Sequence, residues 1–431
     1  MSRIRLYAAP LCALLAAVGV GFWAWSLKPG VASKPALPLM QGTSREELDA
    51  AERVARARVE ADAADGPAVV RLSEILLRKA RVESNPEDAI EAERVLRALL
   101  DAQPGEYSAL KQLGAVYLSQ HRFAEAADVA RRALRINERD AWNYGMLGDA
   151  NTELGRYDEA FEAFNTMVRL RPDAASYARV AYAHELQGRL SEALRHMQMA
   201  AEATSAHDPE SLAWHYTQVG NIYFQMGRID EAAREYARAQ YVFPRHPYAR
   251  AGLARVAAAR GAFDMALDRY RALLNETPTP ELAATVGDLL RVTGDPSAAN
   301  EMYERAESLE REGWKSEEPQ PAALARMLAE RGRDTEEAVA LAERGARGRS
   351  DIFTMDALAW AYYRAGRIPD AHKASMQARR TGTVDRRIVC HGAVIDEALK
   401  GLGASRGTDG TQCRFELWVT EPEAQLASLG R

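Results

Sequence analysis

No Cys-x-x-Cys pair and no phosphate-binding loop occurs in the 431 residues, and only three of them are cysteine. The usual signatures of dithiol redox chemistry and nucleotide handling are therefore missing. Histidine is sparse as well, with eight residues scattered along the chain. "HELQG" at 184–188 opens like a zinc-protease helix, yet Gly188 stands where the second histidine is needed. Such a site requires both imidazoles on one helix face, four residues apart. His207, Asp208 and His215 share one stretch, which reads as an exposed loop before it reads as a metal site. "GLGASRG" at 401–407 has Arg406 at the third glycine position of a dinucleotide loop and no strand before it, so it reads as a flexible linker. The acids are spread too regularly to single out a catalytic dyad. No catalytic residue, metal or cofactor is expected.

A dominant charge of one sign is also lacking. Lysine and arginine number 56 against 61 acids, a formal charge of -5, which gives no basic field for nucleic acid. Arg131-Arg132 and Arg379-Arg380 sit among acids and read as solvated helix faces. Runs of β-branched residues are short, while alanine, arginine, glutamate and leucine fill the middle of the chain. An all-α class follows.

What is present is a repeat. In "GNIYFQMGRIDEAAREYARAQYVFP", residues 220–244, apolar residues recur at three- and four-residue steps on either side of Gly227-Arg228. That pattern predicts two amphipathic helices, with Gly227 ending the first, Asp230 capping the second and Pro244 stopping it. A lone helical hairpin cannot bury its apolar face, so copies are expected. An acid-alanine pair finds them at Ala92, Ala126, Ala160, Ala193 and Ala232, and the same register continues through Ala266, Ala299, Ala338 and Ala371. The intervals are 33, 34 or 39 residues, which makes nine candidate hairpins. Glycine marks the turn at 155, 188, 227, 261, 294 and 366, with His121 in its place once, and prolines follow at 104, 172, 244 and 278.

Tyr144, Leu147, Gly148, Ala160, Phe164 and Pro172, and again Tyr216, Gly220, Tyr223, Ala232, Tyr236, Ala239 and Pro244, follow the order of the 34-residue tetratricopeptide pattern. The sequence resembles that family over roughly residues 67–382. The resemblance implies a right-handed superhelical solenoid whose first helices line a concave groove, and a protein or peptide partner held there. On this chain the groove would carry Asp149, Tyr182, Asn221, Phe224, Arg255, Asp288, Arg291, Trp360 and Tyr363. Aromatics among them would stack on a peptide or a sugar, and Asn221 and Asp149 would hydrogen-bond an extended backbone. A non-enzymatic scaffold is expected, with a glycan-binding assembly factor as the alternative.

The ends differ from the middle. Residues 6–27 form an uncharged run of 22, "LYAAPLCALLAAVGVGFWAWSL", long enough to span a bilayer and with Trp23 and Trp25 placed for an interfacial belt. Val31-Ala32-Ser33 offers a cleavage site, so both a retained anchor and a removed signal are open. In either case the repeats are expected outside the cytoplasm. The expected organisation is an anchor or signal at 1–30, a proline-rich spacer and leading helix at 31–66, the solenoid at 67–382, and a capping helix and tail at 383–431. Within the tail, residues 391–402 read as a helix and "CRFELWVT" as an extended segment. Cys12 lies in the apolar run, leaving Cys390 and Cys413 as a candidate disulfide or as two free thiols.

Overall fold

A computed structural model describes residues 45–83, 86–313 and 321–401. The apolar run at 6–27, Cys413 and the "CRFELWVT" segment lie outside the described residues. Among those described there are twenty α-helices and no strand, and no helix is long and apolar enough to cross a membrane. The chain forms two compact units, residues 1–151 and 152–431.

In the first unit α1 (Arg45–Ala61) leads into the hairpins α2/α3 (Gly66–Glu83, Pro86–Ala102) and α4/α5 (Tyr107–Ser119, Phe123–Ile136), then α6 (Ala141–Glu153), whose last two residues belong to the second unit. Lys79 ties α2 to α1 by donating to Asp49 and Glu52, both at 2.7 Å. Asp140 receives the Tyr107 hydroxyl at 2.7 Å and the Lys111 ammonium at 2.6 Å, which fixes the approach to α6.

The second unit continues with α7 (Tyr157–Leu170), then the pairs α8/α9 (Ala174–Leu186, Leu190–Glu202), α10/α11 (Pro209–Gln225, Ile229–Val242) and α12/α13 (Pro247–Ala259, Phe263–Glu276). It ends with α14/α15 (Pro280–Val292, Pro296–Gly313), α16/α17 (Pro321–Arg331, Thr335–Ala346), α18/α19 (Ile352–Arg364, Ile368–Ala378) and α20 (Arg386–Leu399). All nine repeat alanines fall on the odd-numbered helices α3 to α19 and are buried. A methyl group at that position lets one helix back approach its neighbours closely, and a larger side chain would overpack the contact.

The turns explain the glycines. Gly227 has φ 75°, and its amide bonds to Phe224 O while that of Arg228 bonds to Tyr223 O at 2.9 Å, the closure that satisfies the last carbonyls of a helix. His121 adopts the same left-handed geometry at φ 58°. The arginine after the turn then lies over a tyrosine five residues back: Arg122 on Tyr117 at 4.4 Å, Arg228 on Tyr223 at 4.5 Å and Arg367 on Tyr362 at 4.1 Å. Asp230 does not cap α11 as expected. The helix starts one residue before it, with Arg228 at the cap position and no side-chain cap bond, and Asp230 instead pairs with Arg260 at 2.5 Å. The helix expected over 391–402 likewise begins earlier, because the Asp385 side chain accepts from Ile388 N at 3.0 Å and starts α20 at Arg386.

The second unit also closes on itself. Arg349 reaches Glu153 at 2.6 Å, Ser350 donates to Leu154 O, and the Ile352 amide donates to the Tyr157 hydroxyl at 2.8 Å. Behind these bonds Tyr157 and Leu186 bury with Ile352, Met355, Ala378 and Ile388. Partners nearly two hundred residues apart are thus brought together at one seam.

Candidate partner-binding face

Six of the nine expected groove residues stand eleven positions before a repeat alanine: Asp149, Tyr182, Asn221, Arg255, Asp288 and Trp360. They are equivalent positions on the first helices α6, α8, α10, α12, α14 and α18. Yet the structure gives them different environments, and only some are joined.

The centre of the face is built by Tyr236 of α11. A Cβ on Gly220 of α10 would come within 2.6 Å of its ring, and so would one on Gly252 of α12. The two glycines leave a slot through which the fully buried ring passes, delivering its hydroxyl between the first helices. There it donates to Asn221 Oδ1 at 2.8 Å, and Arg255 Nη2 donates to the same oxygen at 2.7 Å and to the hydroxyl at 2.5 Å. The guanidinium also lies over Phe224 at 4.2 Å. Burial pushes the Tyr236 phenol pKa up, against the opposing pull of Arg255, so the hydroxyl keeps its proton and its donor role. Asn221 additionally receives support from Gln218, whose Oε1 accepts from its Nδ2 at 3.1 Å.

The construction recurs. Tyr303 of α15 passes Gly287, whose Cβ would stand 2.5 Å from the ring, and donates to Asp288 at 2.7 Å, while Arg331 covers its ring at 4.5 Å. Asp288 and Asn221 are therefore held by the same geometry in two hairpins. Next to Asn221, Gln225 donates to Glu185 of α8 at 2.5 Å. Burial raises that carboxyl, Gln225 lowers it, Asp385 raises it and Arg255 lowers it. Arg291 lies on the same helix as Asp288, one turn on.

Other expected contacts are corrected. Trp360 is 0 % exposed, stacked on His391 at 4.0 Å and on Tyr363 at 4.8 Å, because α20 folds back over α18 and covers it. His391 in turn holds both oxygens of Asp356 at 3.0 Å. Phe224 is buried beneath Arg255. Tyr182 is only partly accessible and packs against the seam cluster; burial drives its phenol pKa well up. Asp149 belongs to the first unit and is buried. These side chains support the face from within. Glu185, Gln225 and Glu330 were not anticipated, and Tyr236 was expected only as a repeat residue, although the glycines at 220 and 252 were a legible signal that its ring passes between them. Glu330 is pushed up by burial, but Arg326, Arg387, His391 and Arg331 outweigh that and hold its carboxyl well below the usual range.

Replacing Tyr236 by phenylalanine is expected to cost about 0.5–1.5 kcal/mol of stability, the worth of an ordinary internal hydrogen bond. The ring packing remains, so a loss above about 3 kcal/mol in a denaturant titration would mean that the hydroxyl organises more of the unit than this network.

Among the described residues no group of three or more histidines, cysteines or acids is placed to hold a metal. The expected Cys390–Cys413 pairing extends outside the described residues; Cys390 itself packs, partly buried, beside the Trp360 cluster.

Fold and face together define a helical-hairpin repeat protein with a polar inner network. Two family models, both described as tetratricopeptide repeat, match residues 77–141 with 219–281 and residues 117–183, and those stretches are tetratricopeptide repeats. Repeats of this kind form protein-interaction scaffolds. No curated protein matches the sequence. Among solved structures, a human IFIT1 dimer with m7Gppp-AAAA is similar with a TM-score of 0.51 at 14% identity, covering 78% of this chain and 77% of that one. The APC/C hetero-tetramer Cut9-Hcn1 gives 0.43 at 14% identity over 83% of this chain; the match spans 61% of the length of that chain. A tetratricopeptide repeat protein from Parabacteroides merdae gives 0.43 at 20% identity, covering 55% of this chain and 93% of that one. At 14% identity the likeness to the first of these speaks for the fold alone.

Proposed function

We propose that this protein is a non-enzymatic scaffold that holds a protein or peptide partner along the inner face of residues 152–401, in the assembly of an envelope or secretion complex. The observation that carries this reading is the Asn221–Tyr236–Arg255 network, in which a buried tyrosine positions a polar pair on adjacent first helices. Groups held in place before binding lose little freedom when a partner arrives, which is how a shallow polar face gains affinity. The hydrophobic run at 6–27 supports a membrane anchor or an exported chain, with the repeats extracytoplasmic. An alkaline phosphatase fusion after residue 44 tests that placement: it is expected to be active, and an inactive fusion beside an active cytoplasmic reporter would reverse it. The glycan alternative is weaker, since Phe224 and Trp360, two of its stacking platforms, are buried.

The test of the scaffold reading is a paired substitution, Asn221→Ala with Asp288→Ala, in the full chain. Partners recovered with the wild type under native extraction are expected to bind at least about tenfold more weakly, consistent with a hot-spot loss of about 1.4 kcal/mol or more. The thermal midpoint should stay within a few degrees. Unchanged affinity for every recovered partner would move the binding surface off this face.

A further inference from the structure

The six turn glycines share one conformation, with φ between 69° and 91°, but not one environment. A Cβ on Gly155 would meet the carbonyl of Ser350 at 2.5 Å, and one on Gly188 would meet Gly382 O at 2.5 Å and Val384 at 3.0 Å. At Gly227, Gly261, Gly294 and Gly366 nothing lies within 4 Å. Backbone geometry accounts for all six. Only the first two are also covered, and what covers them is the far end of the same unit.

The covering segment is short and touches much. Arg380 donates to Gly155 O at 2.9 Å and Ser350 O at 2.6 Å, with its guanidinium 4.9 Å from the centre of the Tyr157 ring. Val384 and Arg386 form one wall of an open cleft of about 570 Å³ whose other wall is the Gly188–Glu192 turn and the α10 end at Gln225 and Met226. Ile388 buries against Leu186 and Tyr157, and Arg387 and His391 approach Asp356 at 3.6 and 3.0 Å. Residues 380–391 therefore bridge α7, α8 and the α10 terminus to α18. Val384 and Arg386 share the cleft with Gln225, which bonds to Glu185 and stands one turn after Asn221 on α10.

We infer that residues 380–391 are a closing strap: they hold the 152–401 unit shut across its own inner face, and a partner reaches Asn221 and Arg255 only after strap and seam part. The contact has the make-up of a separable interface, with bonds to backbone carbonyls, one ion pair and a small apolar cluster, whereas the hairpins themselves are joined by continuous alanine-lined cores. The regulatory half of the inference rests on the inner face being the binding surface; the closure does not.

Hydrogen exchange on the full chain separates the two. The Ser350 and Ile352 amides, bonded to Leu154 O and the Tyr157 hydroxyl, report on the seam. Gly155→Ala and Gly188→Ala are expected to speed exchange at 350–352 and 382–391 by about tenfold, whereas Gly227→Ala, with the same backbone strain and no contact, leaves those amides unchanged. An Arg349→Ala/Arg380→Ala double variant, free of backbone strain, is expected to act like the first pair, with helix content preserved in its circular dichroism. In Gln225→Cys, a polyethylene-glycol maleimide should label the new thiol about tenfold more slowly than N-ethylmaleimide, and the added arginine substitutions should remove the gap. Equal exchange in all variants, equal acceleration in Gly227→Ala, or unhindered bulky labelling in the closed protein would overturn the strap. No partner is needed, so these outcomes stand whatever the binding experiment on Asn221 and Asp288 shows.

Discussion

Truncating Trp360 to alanine is expected to lower the unfolding free energy by about 3–5 kcal/mol, the range for removing a fully buried large aromatic. The indole is 0 % exposed and stacks between His391 and Tyr363, so its loss leaves a cavity at the joint of α18 and α20 and uncovers the His391–Asp356 pair. The cavity cannot collapse readily, because Ala359 and Ala361 on either side of it in the chain are themselves buried in packed helix contacts. A denaturant titration reads the change directly. A cost below about 1 kcal/mol, with weakened partner binding, would return Trp360 to the groove.

Acid should destabilise the second unit well before its carboxylates titrate. Burial holds His215 and His246 neutral, with pKa values lowered to about 4 from the usual 6.5. Each folded pKa is depressed, so the unfolded chain binds protons first: the stability they contribute is full above pH 6.5 and is lost as pH falls towards 4. The causes are local. His215 binds Thr204 through Nδ1 at 3.0 Å, while its buried Nε2 has no partner to accept a new proton. His246 caps α12 by accepting from the Ala249 amide at 3.2 Å; protonation would remove that acceptor and place a cation at a helix N-terminus. Each residue is expected to account for about 2–3 kcal/mol between pH 7 and pH 4. His184 is lowered in the same direction by burial. Unfolding titrations across this range check the slope, and His246→Asn, which keeps a capping acceptor without a titrating group, should remove about 2–3 kcal/mol of the loss. A flat profile from pH 7 to 4.5 would mean that both rings protonate without leaving their sites.

The repeat itself was legible. An alanine every 33 to 39 residues and a glycine before most of them mark where two helix backs meet and where the chain must turn left-handed. Both requirements act within one hairpin, so they leave a periodic trace. That trace yields the nine second helices with each alanine buried, and the register that places Asn221, Arg255 and Asp288 on equivalent positions. Local capping was read less well: Asp230 has the chemistry of a cap, but the bonds that close the Gly227 turn start the next helix before reaching it.

Which positions of that register are sealed in the interior was decided by contacts that no local pattern records. Trp360 and Asn221 stand at the same distance from their repeat alanines; one is sealed under α20 and the other holds a tyrosine hydroxyl. The difference arises because residues 349–391 return to the 153–190 segment, joining Arg349 to Glu153 across 196 residues. Local periodicity fixes how each hairpin packs on the next, since both helices carry the signal. Closure of the unit depends on curvature summed over every intervening turn and on side chains that meet only when that sum is right, so it belongs to the tertiary structure alone.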